Sequence, residues 1–175
     1  MFTSFKETSG FKKKYRIYER DNSIDRDKVI LLIEDDQWDQ SPDTFYQSYI
    51  QSRHPKMLTS YSLEDFSKMD TFKVPGYNIG FALKPFQDTE EYEVVAVHNN
   101  DSRVSKVGSY LAKAALSKKG YYLDHFDGML SDLYGSAGYE EYDRQPYDPQ
   151  YDPDESFKNQ YGTPDVVYRK HKDAK

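Results

Sequence analysis

Apolar residues recur at one-and-four spacing in several stretches of the chain and run nearly unbroken in others. Ser41-Pro42-Asp43 predicts a helix start, with Ser41 as cap, proline at the first helical position and an acid near the positive end. Phe45, Tyr46, Tyr49 and Ile50 then form one apolar stripe, and His54-Pro55 should end it. Ser62 and Asp65 stand in a capping-box relation ahead of Leu63, Phe66 and Met69. A longer helix is expected over about Lys106 to Lys119, carrying Val107, Tyr110, Leu111, Ala114 and Ala115 on one side and stopped by Gly120. Another follows Asp127 through Met129, Leu130, Leu133 and Tyr134 and ends at Gly138.

Strands are expected over Tyr77 to Leu83 and Tyr92 to His98, close enough to pair as an antiparallel hairpin after the Pro75-Gly76 turn. Further strands read at Tyr121 to His125, Tyr139 to Arg144 and Asp165 to Arg169. Nearer the N-terminus, Tyr15 to Arg20 alternates like a strand, and Lys28 to Glu34 reads as a buried one. These elements predict one mixed α/β domain over residues 1–175. Its Tyr, Pro and Asp-rich segment, Gln145 to Gly162, holds two near-copies, Pro146-Tyr147-Asp148-Pro149 and Gln150-Tyr151-Asp152-Pro153. Two copies are too few for a repeat architecture, so a stiff surface loop is expected, of a length that often carries function.

Leu, Ile, Val and Phe fill 35 of 175 positions, near the disorder-prone edge, but 17 Tyr and one Trp can complete a core. The longest apolar run, Val29 to Ile33, is five residues, far short of the roughly 18 a membrane span needs. With no apolar leader in Met1 to Tyr15, a cytoplasmic protein without membrane contact is expected. Cysteine is absent, which removes thiolate sites and cysteine nucleophiles. The net charge of −6 opposes bulk nucleic-acid binding, so nucleic acid is an unfavoured partner. Two basic clusters, Lys12-Lys13-Lys14 with Arg16 and Arg169 to Lys172, read first as solvated faces. Asp148, Asp152, Asp154 and Glu155 read as a solvated acidic cluster whose spacing fits no EF-hand loop. The four histidines form no zinc pattern, and no Walker loop or Gly-x-Ser-x-Gly elbow occurs.

Five blocks stand in a telling order: Gly76-Tyr77-Asn78-Ile79-Gly80-Phe81-Ala82; Val95-Ala96-Val97-His98-Asn99-Asn100; Leu123-Asp124-His125-Phe126-Asp127-Gly128; Leu133-Tyr134 followed by Gly138-Tyr139; and Gly162-Thr163-Pro164-Asp165-Val166-Val167-Tyr168. Over about Leu58 to Lys172 the chain resembles the GNAT N-acyltransferase superfamily, and most of all its GNAT-like members in bacteriophage and prophage genomes. Residues 1–57 add little to the match. The resemblance implies a central twisted, mostly antiparallel sheet flanked by helices, with acetyl-coenzyme A as cofactor.

The resemblance also implies a site. In the family, backbone amides at the loop leading into the helix after Tyr92–His98 hold the coenzyme pyrophosphate, where helix geometry leaves them unpaired. That loop is Arg103-Val104-Ser105-Lys106-Val107-Gly108-Ser109. Arg103 and Gly108 fit the pattern, while Lys106 replaces its first glycine, either obstructing the backbone or adding a point charge beside the pyrophosphate. The cofactor-binding expectation is Arg103, Lys106, Val107, Gly108 and Ser109, with the backbone of Val97 to Asn99 holding the acyl carbonyl. Tyr134 matches the tyrosine that protonates the departing thiolate, against the plainer reading of a core tyrosine. His125 is expected to take a proton from the attacking amine and Asp127 to orient it, or else merely to cap the next helix. Glu93 is a further candidate base.

The expected function is an acyl-coenzyme A-dependent N-acyltransferase, phage-encoded and acting on a small-molecule or protein amine, with the acidic 147–161 loop bordering the acceptor cleft. A rival is a catalytically silent GNAT-like protein that binds a host or viral partner through its tyrosines. A third reading, a nucleobase acceptor, is opposed by the net charge.

Overall fold

The five-residue apolar run Val29 to Ile33 is helical, not a strand. The computed structural model describes residues 24–175, and its first element, α1, spans 24–34. Val29 and Ile33, four apart, are buried on one side, while Leu31 between them is 59% exposed. A strand would have buried 29, 31 and 33 together. The expected strand at Tyr15 to Arg20 and the first basic cluster lie outside the described residues.

The remaining elements are α2 (Pro42–Tyr49), α3 (Leu63–Ser67), β1 (Asp70–Lys73), β2 (Ile79–Pro85), β3 (Tyr92–Asn99), α4 (Gly108–Ser117), β4 (Gly120–Phe126), α5 (Met129–Ser136), β5 (Tyr139–Gln145), α6 (Ser156–Tyr161) and β6 (Val166–His171). Ser41 caps α2 by accepting from the Thr44 amide. Ser62 and Asp65 close a reciprocal capping box on α3. Strand β1, which the sequence pattern did not reveal, pairs with β2 across the Pro75-Gly76 turn.

Six strands form one mixed sheet in the order β1-β2-β3-β4-β6-β5. All its pairings are antiparallel except β3 with β4, whose chain crosses over through α4. One face is covered by α1, α4 and α5, with Val29, Ile33, Leu111, Ala115 and Tyr134 packed on Phe81, Leu83, Val94 and Leu123. The other face carries α2 and α3, where Phe45, Tyr49 and Phe66 pack on Ala82 and Val95. Covered on both sides, β2 is buried continuously from Ile79 to Leu83.

Gly120 does not terminate α4 as expected. Lys119 takes the left-handed conformation there (φ 63°), and Gly120 opens β4. Glycine is needed because a Cβ at 120 would stand 2.7 Å from Val94 Cγ2 and 2.9 Å from the Ala115 carbonyl. Asp127 is likewise not the cap of α5. Gly128 holds that position, and the Ser131 hydroxyl donates to Asp127.

Candidate functional site

Strands β3 and β4 pair in parallel at Tyr92/Gly120 and Glu93/Tyr122 and no further. Past Glu93 the two strands diverge, and β3 carries an extra residue: Gly80 pairs with His98 and Ala82 with Val95. This bulge places Ala96 in the left-handed region (φ 53°). The His98 ring holds it, with Nδ1–H donating to the Ala96 carbonyl at 2.8 Å and Nε2 lying 2.7 Å from Ser48 Oγ. Burial pushes the His98 pKa down to about 4, so the ring is neutral in the fold.

Between the divergent strands lies a cavity of about 400 Å³. It runs through the sheet, because residues from both strand faces line it. His125 and Tyr134 border it on the α5 side, and Tyr49, Tyr61, Asp124 and Tyr168 on the other, with the bulge backbone as a third wall.

Tyr134 lines the cavity and belongs at the same time to the hydrophobic core. Its ring is buried between His125 (5.4 Å) and Tyr139 (5.9 Å). Its hydroxyl makes no hydrogen bond among the described residues, and burial raises its pKa to about 12, so the phenol keeps its proton. His125 borders the cavity, but both ring nitrogens are committed. Nδ1–H donates to the Phe126 carbonyl, and Nε2 accepts from Arg169 Nε at 2.8 Å. With burial and Arg169 also depressing its pKa, the ring has no free lone pair for a proton. Asp127 stands apart from the cavity lining in a surface network, accepting from Ser131 and from Arg144, which also binds Glu141 and Asp165.

The free carboxylates belong to other residues. Asp124 lines the cavity. The residue is exposed to solvent, yet partial burial of its carboxyl among the cavity walls raises its pKa above the usual range. Glu93 lies on the same face, its carboxyl pushed up by burial and then by the Asp124 charge. Neither side chain makes a salt bridge among the described residues. Asp124 was within reach of sequence reasoning: an acid at the centre of an otherwise apolar and aromatic strand calls for a reason.

The loop into α4 is tied down residue by residue. Asp101 accepts from its neighbours Arg103 N and Asn78 N and takes both Nε and Nη2 of Arg103, which holds its pKa near 2. Arg103 also donates to the Gly76 carbonyl and lies 4.5 Å over the Tyr77 ring. Its guanidinium is therefore committed to the loop's own structure. Asn99 bridges the loop through the Val104 carbonyl and the Asp101 amide. Val104 and Val107 are buried anchors, whereas Val97 is half-buried at the cavity wall.

Lys106, at the family's first glycine position, is itself left-handed (φ 58°). Arg26 of α1 takes the Ser105 and Lys106 carbonyls at 3.1 Å each. In a trans peptide the next N–H points the opposite way, so the Lys106 and Val107 amides face away from Arg26. These two amides and those of Gly108 and Ser109 at the start of α4 donate no hydrogen bond among the described residues, as helix geometry leaves the first amides of a helix. Gly108 has a packing reason of its own, since a Cβ there would stand 2.9 Å from Leu133 Cδ1.

The Tyr, Pro and Asp-rich segment encloses a second cavity, of about 860 Å³, which shares Lys56, Phe126 and Val166 with the first. Of its acids, Asp148, Asp154 and Glu155 are exposed, as a solvated cluster would be, and Asp152 is the exception. Asp152 is 7% exposed and accepts from the Phe157 and Lys158 amides and the Tyr147 hydroxyl. Asp148 and Asp154 close local turns on Gln150 and Ser156. In the second basic cluster, Arg169 is spent on His125 and Tyr139, and His171 is buried against Tyr139. No helix among the described residues is long and apolar enough to cross a membrane. Set against models of known families, curated proteins and solved structures, the chain finds no match.

Proposed function

We propose that the chain is an acyl-coenzyme A-dependent N-acyltransferase of the GNAT kind, acting on an amine. The observation that carries the reading is the cavity where β3 and β4 part, lined by residues from both strand faces and by Asp124, a carboxylate without a salt-bridge partner among the described residues. Two reactants can enter such a passage from opposite faces and meet at the bulge. The one parallel pair in a mostly antiparallel sheet, with helices on both faces, agrees with the architecture the resemblance implies.

The residues fit coenzyme A in part. The amides of Lys106, Val107, Gly108 and Ser109 and the Lys106 ammonium would hold its pyrophosphate, while Arg103 is engaged with Asp101. When bound, the coenzyme supplies the acyl group as a thioester. Asp124, its proton affinity raised by burial, would take the proton that a cationic amine must lose before it can attack. Tyr134 holds its hydroxyl proton firmly at neutral pH and would deliver it toward the leaving sulfur. His125 is a positioning residue in this scheme, fixing the Arg169 side of the cavity.

The test is calorimetric titration of the full chain with acetyl-coenzyme A, repeated with Lys106→Glu. The expected result is micromolar binding, weakened at least tenfold by the charge reversal with the melting temperature unchanged. Absence of binding at millimolar concentration refutes the reading. It would leave the silent binding protein, which the engagement of Arg103 favours.

A further inference from the structure

The acids of the 145–162 segment organise the segment itself, Asp152 from a buried position and Asp148 and Asp154 from exposed ones. Asp152 pins its two arms together, and Asp148 and Asp154 serve turns. The Lys56 ammonium donates to Ser156 Oγ, with Asp152 and Asp154 as its neighbouring charges. Beside these charged groups, which also line it, the 860 Å³ cavity offers a ligand flat and apolar surface from Phe126, Phe157, Tyr147 and prolines 146, 149 and 164. The Phe126 and Phe157 rings already lie 5.0 Å apart, and Asp152 fixes the Tyr147 ring through its hydroxyl.

The register of β4 on β6 relates this surface to the first cavity. Asp124 lies opposite Tyr168, and Phe126 lies opposite Val166, two residues further along on the same face. Two residues of strand span about 7 Å. A carboxylate with no basic partner thus stands about 7 Å from the edge of a preformed aromatic cavity. Charge complementarity puts a cation at Asp124, and the spacing puts a ring beside Phe126 and Phe157.

From this juxtaposition we infer that the acceptor is an arylalkylamine: a primary amine carried two or three single bonds from a flat ring. The inference rests on the transferase reading for its chemistry, but the pocket is built independently of the coenzyme loop. The ammonium sits at Asp124 with the Tyr61 and Tyr168 rings beside it, and the ring enters the cavity of the 145–162 segment. The attacking nitrogen is thereby delivered to the gap between β3 and β4.

Tyramine, n-butylamine and 4-hydroxyphenylacetate, titrated separately into the full chain without coenzyme, test this. Tyramine should bind at least fivefold more tightly than butylamine, and the acid should not bind. Asp124→Asn should weaken both amines, and Phe157→Leu, which keeps apolar bulk but removes the flat face, should bring tyramine down to the level of butylamine. Equal affinity for the two amines, or tyramine affinity unchanged by Phe157→Leu, overturns the inference. Acetyl-coenzyme A titrated into the same preparation reads transfer separately. Coenzyme binding without discrimination between the amines removes the aromatic pocket and leaves transfer standing. Discrimination without coenzyme binding keeps the pocket and removes transfer.

Discussion

His98 makes the bulge sensitive to acid, by an amount the structure fixes. Its ring is 5% exposed, packed edge-on by Phe45 and Tyr49, and it donates to Ala96 while sharing a hydrogen bond with Ser48. Burial, with the Lys73 charge as a smaller contribution, lowers its pKa from 6.5 to about 4. The unfolded chain binds a proton at this residue below pH 6.5, and the folded chain does so only near 4. Between those values the unfolded state holds more protons, so stability falls as pH falls. The full span corresponds to about 3 kcal/mol, of which about 2 kcal/mol is lost between pH 7 and pH 5.

Other groups titrate in the same range. Glu93 and Asp124 have raised pKa values, so their protonation on acidification favours the fold and works against the His98 effect. The measurement is therefore a difference. Urea unfolding at pH 7 and pH 5 is compared for the native chain and for His98→Gln, whose amide preserves one donor and one acceptor without titrating. The native chain should lose about 2 kcal/mol more than the variant over that interval, whatever the variant's stability at pH 7. Parallel loss in both proteins would refute the assignment of His98 as a buried neutral ring.

Four further outcomes are expected. Asp124→Asn should raise the melting temperature at pH 7 and leave it unchanged at pH 3, because the raised carboxyl pKa marks a charge that the fold disfavours only while ionised. Gly120→Ala should cost about 1–3 kcal/mol in urea unfolding, since its Cβ would meet a backbone carbonyl that cannot give way. Lys106→Gly should leave stability level or raise it by about 0.5–1 kcal/mol, and Lys106→Val should lower it, because position 106 is left-handed. Arg103→Ala should cost about 1–3 kcal/mol by leaving the Asp101 carboxylate short of partners, and it should do so with no coenzyme present.

Much of the sheet was legible because its signals are local. Capping at Ser41 and at Ser62/Asp65, the Pro75-Gly76 turn, and the β2–β3 hairpin all follow from residues a few positions apart. The failures are places where a longer-range contact decides. The run from Val29 to Ile33 suits either period, and burial of its 29/33 side under the sheet selected the helix. Gly120 looked like a helix stop, but its missing side chain serves Val94 on a neighbouring strand. Within the site, the sequence points to Tyr134, which lines the cavity, and to the 103–109 loop, which does not line it and whose Arg103 is bound to Asp101. Asp127 was misread because Arg144, seventeen residues away, draws it to the surface, and His125 because Arg169 occupies its free nitrogen. Asp124 carries no motif; its one signal in the sequence is an acid within an apolar and aromatic strand, and the gap beside it arises only from the divergence of β3 and β4.

The three backbone irregularities around the gap share one mode of support. Ala96 and Lys106 are left-handed without being glycine, and β3 leaves β4 after Glu93. A left-handed residue other than glycine costs about 1–3 kcal/mol and persists only where its surroundings impose it. Here those surroundings are polar ties reaching across the sheet end: His98 to Ala96 and Ser48, Asn99 to Val104, Arg103 to Asp101 and Gly76, and Arg26 to Ser105 and Lys106. The ties come from α1, α2, β3 and the loop itself, so no single element holds the site open. Losing any one of them should loosen the gap more than it destabilises the fold. Amide exchange at Val97 and at Leu111, whose amide donates to the Val107 carbonyl, is the measure that separates the two, and it should rise in His98→Gln and Arg26→Ala by more than exchange at Leu83 does. A uniform rise at all three positions would mean that the ties stabilise the whole domain and that the site has no support of its own.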